Sequence, residues 1–340
     1  MSKPELLDIS GLKKHFPVRK FFKTAGTIKA LDGVSLTLGA GKTLAVVGES
    51  GCGKSTLAKV LMGIELPTAG EMRIDGANAA SLSPTEFRKS IQMIFQDPYS
   101  SLNPRKKAWE IIAEPLRINT DLSSAVCRER ALESMKQVGL RPEFGDRYPH
   151  MFSGGQRQRI GIARALILHP RILICDEPIS ALDVSIQAQV INLLIELQDR
   201  LGLSYIFISH DLSVVRHLAD EVAVMYLGKV VENGSRERIF AEPTHPYTQA
   251  LLASTPSLKE PRRKRVIIQG EPPSPLNPPP GCSFHKRCSF AQPRCSSETP
   301  ELREVKSRQV ACHFAEKLGD ESVSSAGPLA SFVDSAISEA

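Results

Sequence analysis

The sequence predicts an α/β fold with a largely parallel sheet, and three observations carry that expectation. Short apolar runs at residues 43–47, 91–95, 172–175 and 205–209 alternate with stretches of helical pattern. Several of these runs are apolar throughout, as strands must be when helices cover both faces of a sheet. A glycine-rich turn follows the first run directly and leads into a helical pattern beginning at Thr56, a strand–turn–helix unit suited to such a sheet.

Composition agrees with a globular chain. The 340 residues are 41% hydrophobic and 24% charged, which excludes wholesale disorder, a collagen-like repeat and a coiled-coil rod. At that length roughly two domains are expected. The net charge of +6 (43 basic against 37 acidic residues) permits a nucleic-acid or membrane-surface role without requiring one. No apolar stretch approaches the ~20 residues that span a bilayer; the runs at 172–175 and 222–227 are strand-sized. The start, Met1-Ser2-Lys3-Pro4-Glu5, lacks the apolar segment of an export signal. The expectation is a cytoplasmic chain with no membrane anchor of its own.

Along the chain, the α/β texture occupies residues 1–96 and 153–255. Between them, residues 97–152 read as a helical insert. The stretch from Trp109 to Leu116 places Ile111, Ile112 and Leu116 on one side, and 126–138 is amphipathic with exposed Arg and Glu. Composition changes near residue 260. A basic run (Arg262 to Arg265), a proline-rich stretch at 271–280 and four cysteines define a small extension, 256–320, and residues 321–340 read as a loose tail rich in Ser, Ala and acid.

The glycine-rich turn, Gly48-Glu49-Ser50-Gly51-Cys52-Gly53-Lys54-Ser55, fits the phosphate-binding pattern G-x-x-x-x-G-K-[ST] at every fixed position. Glycines let the backbone wrap an anion with its N–H groups, and the following helix N-terminus favours negative charge. Residues 48–56 are therefore the ATP-binding candidates, with Lys54 on the β- and γ-phosphates and Ser55 on Mg²⁺. A second apolar strand ends in Asp176-Glu177: Asp176 is placed to hold Mg²⁺ through water and Glu177 to polarise an attacking water. Without these partnerships the turn would be a glycine-rich connection and the acids a solvated corner before Pro178.

Ser153-Gly154-Gly155-Gln156 opens another helix, with Ser153 as N-cap and two glycines exposing backbone donors at its positive end. The chain's own phosphates are already held by residues 48–56. A second anion site therefore points to a head-to-tail dimer, in which this segment covers the partner's nucleotide.

Together these residues resemble the ATPase subunits of ABC transporters. The turn at 48–55, Gln96, Ser153-Gly154-Gly155-Gln156, Asp176-Glu177, Ser180-Ala181-Leu182-Asp183 and His210 occur in that family's order, with 105 residues from Gly48 to Ser153, 23 from there to Asp176 and 34 more to His210. Phe152 departs from the family's usual leucine. The resemblance implies that Gln96 senses Mg²⁺ and the attacking water, that His210 contacts the γ-phosphate, that Asp183 crosses the dimer seam, and that Phe16 stacks on adenine. Phe21 and Phe22 compete with Phe16 for that last role.

Of the seven cysteines, Cys52, Cys127 and Cys175 lie within core elements and are expected as unpaired thiols. Cys282, Cys288, Cys295 and Cys312 cluster in the extension at intervals of five, six and sixteen residues, unlike the tight pairs of a zinc ribbon. In a cytosolic chain such a cluster favours metal ligation over disulfides, with Zn²⁺ or a [4Fe–4S] cluster both open to four thiolates and four reduced thiols the alternative. The segments His245-Pro246-Tyr247-Thr248-Gln249-Ala250-Leu251-Leu252, Gly270-Glu271-Pro272-Pro273-Ser274-Pro275 and Pro280-Gly281-Cys282 are similar to the C-terminal extension of peptide-importer ATPases, most like the second ATPase subunit of bacterial dipeptide permeases.

That resemblance implies a [4Fe–4S] cluster on the four cysteines and a peripheral subunit on the cytoplasmic face of the inner membrane. The partners it implies are a second homologous ATPase subunit, two transmembrane permease subunits and, indirectly, a periplasmic substrate-binding protein, with no nucleic acid. Residues 98–109 would dock a permease helix, with Ser101 and Leu102 among the contacts. A soluble ABC-type ATPase acting on nucleic acid or ribosomes is the alternative, kept open by the basic run. Against it stand the absence of room for a coiled-coil arm between Gly48 and Ser153 and the single cassette.

Overall fold

The computed structural model describes residues 5–20, 23–254 and 270–318. The basic run at 262–265, the tail at 321–340, and Phe21 and Phe22 lie outside the described residues.

The chain opens with two long antiparallel strands, β1 (Leu7–Lys20) and β2 (Lys23–Leu38). Val34, Leu36 and Leu38 are buried while Gly33, Ser35 and Thr37 are exposed, the alternation of a sheet packed on one face only. Next come β3 (Thr43–Val47), α1 (Lys54–Leu61), β4 (Ala69–Ile74) and β5 (Ala77–Asn78). β1, β2, β4 and β5 form one antiparallel sheet in the order β2-β1-β4-β5. α2 (Pro84–Ser90) leads into β6 (Ile91–Ile94), and the helices α3 (Ala108–Asn119), α4 (Ser124–Gln137) and α5 (Gly154–Leu166) separate it from β7 (Ile172–Asp176). The remainder is α6 (Val184–Leu201), β8 (Ser204–Ser209), α7 (Leu212–Leu218), β9 (Glu221–Tyr226), β10 (Lys229–Ser235), α8 (Arg236–Ala241) and α9 (Pro246–Ser254). α10 (Pro293–Ser297), β11 (Arg303–Val305), β12 (Arg308–Val310) and α11 (Ala315–Leu318) follow.

The main sheet has the order β11-β12-β10-β9-β3-β8-β7-β6. Its five strands from β9 to β6 run parallel, as expected, and β10, β12 and β11 continue it antiparallel at one edge. The parallel strands are apolar throughout because both faces are covered. Ala45, Val47, Leu173, Cys175, Tyr205 and Phe207 face one core with the helices α3 to α6. Leu44, Val46, Ile172, Ile174, Ile206 and Ile208 face the other, against α1 and the antiparallel sheet.

The helical stretch behaves as its pattern predicts: Ile111, Ile112 and Leu116 are at most 2% exposed, whereas Arg128, Glu129, Arg130 and Glu133 face solvent. The cysteine-bearing extension is sewn into the main sheet rather than tethered to it. β12 pairs with β10 through Glu232↔Val310 and Asn233↔Gln309. Beneath that seam Glu232, fully buried, accepts the backbone N–H groups of Thr244 and His245 (both 2.9 Å) and faces the buried Arg308 guanidinium at 3.6 Å.

Candidate functional site

Adjacent parallel strands end together, and the site lies at those C-terminal ends, where open α/β sheets bind ligands. Val47 pairs with Ser209, Asp176 with Ile208, and Ile94 with Cys175, so the residues that follow β3, β8, β7 and β6 emerge side by side.

The turn after β3 has the geometry of an anion cradle. Gly53 has φ 112°, and a Cβ there would stand 2.4 Å from the carbonyl oxygen of Ala30, so only glycine fits. Lys54, 6% exposed, donates from Nζ to the carbonyl oxygens of Gly48 (2.7 Å) and Glu49 (3.1 Å), arching across the turn. Ser55 lies exposed in the first turn of α1, followed by the half-buried Thr56, while Cys52 is buried beneath the turn and Ser50 and Gly51 face solvent.

Asp176 ends β7 at 8% exposure, and its Oδ1 is buried without a hydrogen-bond partner. Burial, reinforced by the neighbouring Glu177 charge, lifts its carboxyl above the ordinary value against the pull of Lys54 and Lys59. Glu177 adopts φ 45°, unusual for a side chain with a Cβ, and its N–H donates to the carbonyl oxygen of Ile208 (3.0 Å), fixing the acid at the strand end. Its Oε2 accepts from Gln96 Nε2 at 2.9 Å, and its Oε1 lies 3.3 Å from His210 Nδ1. Gln96 and His210, both singled out from sequence, thus meet on Glu177.

Ser153 and Gln156 form a reciprocal capping box at the start of α5: Ser153 N–H donates to Gln156 Oε1 (3.1 Å), and Gln156 N–H donates to Ser153 Oγ (3.4 Å). Gly155 leaves no space for a side chain, since a Cβ would meet Ile186 at 2.6 Å, and a Cβ on Gly154 would lie in ordinary contact with Tyr99 and Leu182. Asp183, exposed, precedes α6 without a side-chain capping bond. Phe16 is half-buried on β1 with the Lys14 amine 4.9 Å from its ring centre. Leu102 packs inward at 2% exposure, which removes it from the surface expected to dock a permease, and the Ser101 carbonyl accepts from Arg164 (2.7 Å). Tyr99 (57%) and Phe95 (41%) are the exposed apolar groups nearby.

Cys282, Cys288, Cys295 and Cys312 line one pocket of about 20 Å³ with His245 and Phe284. Burial raises the Cys282 thiol and pushes Cys288 up to about 12 and Cys312 up to about 11, with the neighbouring cysteines adding to each. Among the described residues, no three His, Cys, Asp or Glu side chains stand at the spacing of a single-ion site. The four expected ligands are gathered around one space without closing on a point. Cys52, Cys127 and Cys175 are buried free thiols, as expected.

Two residues that touch the turn at 48–55 are not expected there from the sequence, although Tyr247 lies in the importer-like segment at 245–252. Tyr247 Oη accepts the Glu49 N–H at 2.8 Å, and Arg287 grips the Glu49 carboxylate with two bonds, 2.7 and 3.0 Å. Arg287 stands in an ordinary Lys-Arg-Cys run far along the chain.

Residues 31–180 match the family described as ABC transporter, and residues 231–295 match the oligopeptide/dipeptide transporter C-terminal region. The di/tripeptide transport ATP-binding protein DppF of Pseudomonas aeruginosa is 55% identical over 317 residues, spanning 92% of this chain and 98% of its own. The dipeptide transport ATP-binding protein DppF of Escherichia coli is 57% identical over 312 residues, 90% and 93% of the two chains. A dimeric ATP-binding cassette solved in a post-hydrolysis state with ADP and Pi superposes with a TM-score of 0.59 at 30% identity, over 68% of this chain and 98% of that one. With a phosphate cradle, a paired acid and an extension that each match, the chain belongs to the ABC-transporter ATPases, in the group of dipeptide and oligopeptide transport ATP-binding proteins.

Proposed function

We propose that this chain energises import of dipeptides through two separate transmembrane permease subunits, paired with a second homologous ATPase subunit on the cytoplasmic face of the bacterial inner membrane. The convergence of Gln96 and His210 on Glu177, beside Asp176 and the turn at 48–55, is the observation that carries the hydrolytic part of this reading. The cargo rests on the names of the relatives, which favour peptides over a nucleic-acid partner. Oligopeptides, haem and nickel are the competing cargoes, and a periplasmic binding protein would deliver any of them to the permease rather than to this chain.

In this reading residues 1–96 and 153–255 form the ATPase core, 97–152 the helical subdomain carrying the permease contact, and 256–320 the cysteine-rich extension. Backbone N–H groups of the turn and Lys54 bind the phosphates, and Phe16 supports the base. Mg²⁺, when bound, neutralises charge on the β- and γ-phosphates; Ser55, Gln96 and Asp176 would hold it, and the unpartnered buried Oδ1 of Asp176 fits that use. Glu177 accepts a proton from the attacking water, which Gln96 and His210 orient. Ser153, Gly154, Gly155 and Gln156 cover the partner's nucleotide, with Asp183 at the seam. Contacts made only when both chains embrace ATP bias the pair towards closure, and cleavage releases them.

The four cysteines would hold a [4Fe–4S] cluster, with Zn²⁺ the simpler alternative. This reading rests on the chemistry of four thiols that line one space, a donor set open to either group; a cluster, when bound, would cross-link the extension. Absorption spectra of the anaerobically purified complex separate the two.

The test of the reading is uptake of labelled dipeptide by vesicles containing the whole complex, with di- and oligopeptide competitors. Glu177→Gln should abolish uptake while the chain still binds ATP. Uptake at the normal rate, or purification with nucleic acid in place of two multi-span proteins, would contradict it.

A further inference from the structure

Glu49 poses an electrostatic problem. It is the acidic residue of the phosphate-binding turn, and a free carboxylate there would repel the nucleotide it helps to surround. The structure answers with Arg287, whose guanidinium takes the carboxylate in a bidentate pair at 2.7 and 3.0 Å. The pair is well shielded, with side-chain exposures of 6% for Arg287 and 25% for Glu49. Arg287 also donates to Tyr226 Oη at 3.3 Å.

The anchor of this grip lies in the wall of the cysteine pocket. Arg287 sits between His285 and Cys288, both of which line that pocket. From the same wall Phe284 packs its ring 5.3 Å from Tyr226 and 5.4 Å from Tyr247. Tyr247 in turn accepts the Glu49 main-chain N–H. Main chain and carboxylate of Glu49 are thus both held by groups rooted in, or packed on, the segment carrying the cysteines. Rigid packed elements of this kind transmit bias between sites.

We propose that Arg287 is a positioning residue for the ATPase: by holding Glu49 it keeps the phosphate-binding turn in its nucleotide-accepting form, so that the cysteine-bearing segment governs nucleotide affinity. The inference rests on nucleotide binding at residues 48–56 and needs neither a particular cargo nor a particular metal. A segment that biases the turn is itself biased by what the turn holds, so nucleotide binding should alter the cysteine pocket in return.

The full-length chain tests this with a fluorescent ATP analogue and Mg²⁺. Arg287→Met should raise the dissociation constant about tenfold, with the loss falling on KM rather than kcat. Arg287→Lys, which keeps the charge but not the fork, should lie between. Adding Glu49→Gln to Arg287→Met should recover much of the affinity, because the unneutralised carboxylate is then gone; a merely structural role for Arg287 gives no such rescue. In the unsubstituted chain, MgATP should change the hydrogen-exchange rates of the backbone amides at 282–288, mapped by mass spectrometry. Equal affinity in Arg287→Met, or failure of the second substitution to rescue, would overturn the proposal. Should Arg287→Met not fold, the unsubstituted chain decides: hydrogen exchange at 282–288 indifferent to MgATP overturns it, while uptake and peptide specificity stand apart from either outcome.

Discussion

Gln96 Nε2 donates a 2.9 Å hydrogen bond to Glu177 Oε2 across a gap of 81 residues in sequence. The two side chains meet because β6 and β7 are neighbouring parallel strands whose ends coincide. The bond ties the helical stretch that follows Gln96 to the acid at the end of β7.

Removing that tie should slow chemistry without weakening binding. Gln96→Ala is expected to lower kcat for ATP by roughly 10²-fold, the usual worth of a group that orients a proton transfer, with the MgATP dissociation constant little altered. Steady-state hydrolysis and nucleotide titration on the full chain check this; an unchanged kcat would contradict it.

The cradle's shape should tolerate no side chain at Gly53. Its φ of 112° and the 2.4 Å approach of a Cβ to the Ala30 carbonyl oxygen mean that Gly53→Ala must move backbone rather than a flexible side chain. Strain of about 1–3 kcal/mol at such positions should weaken ATP binding tenfold or more while circular dichroism keeps its native form.

The seam between the extension and the core should fail when its buried pair is broken. Arg308→Met leaves Glu232 fully buried opposite no cation, a loss of about 3–5 kcal/mol in comparable pairs. Limited proteolysis should then cut within 303–318 well before the core, and urea unfolding should show an earlier transition. Resistance equal to the unsubstituted chain would show that the strand pairing alone holds the seam.

The raised thiols carry a defined pH dependence. A thiol whose folded value lies above its unfolded value near 9 contributes stability that is complete below 9 and is lost progressively as pH climbs from there to about 11 for Cys312 and about 12 for Cys288. These two thiols therefore add no pH dependence to stability between pH 6 and 8. In chelator-treated protein, their alkylation at pH 8 should be about 10²-fold slower than that of a free cysteine for Cys312 and about 10³-fold slower for Cys288, rising with pH up to about 11 and 12 respectively. Ligation needs thiolates, so metal loading should weaken as pH falls. Alkylation at the free-cysteine rate would contradict the burial argument.

Much of the site was legible because its residues sit at fixed points of a repeated pattern. The run at 43–47 is β3 itself, and 172–175 is β7 without the aspartate that ends it. Gln96 and His210, named through the family resemblance, and Glu177, named as an acid ending an apolar strand, come together in space. The antiparallel sheet of β1, β2, β4 and β5 went unnoticed, since its one-sided burial leaves polar residues and glycines between Val34, Leu36 and Leu38. β12 spans three residues, and its pairing with β10 joins positions as far apart as Glu232 and Val310. No local pattern encodes such a contact, and the same holds for Arg287 on Glu49. Leu102 is expected at a permease contact through its stretch's nearness to Gln96, but the packing of the helical stretch takes it inside.

The most direct test of the account is the mass of the Glu177→Gln chain mixed with the second ATPase subunit at saturating MgATP, measured with and without Ser153→Arg in the same chain. A nucleotide held between two chains requires a stable pair in the first case and a weakened one in the second, where the partner's nucleotide loses its cover. A pair that forms equally well without ATP, or that is as stable with Ser153→Arg, would contradict it.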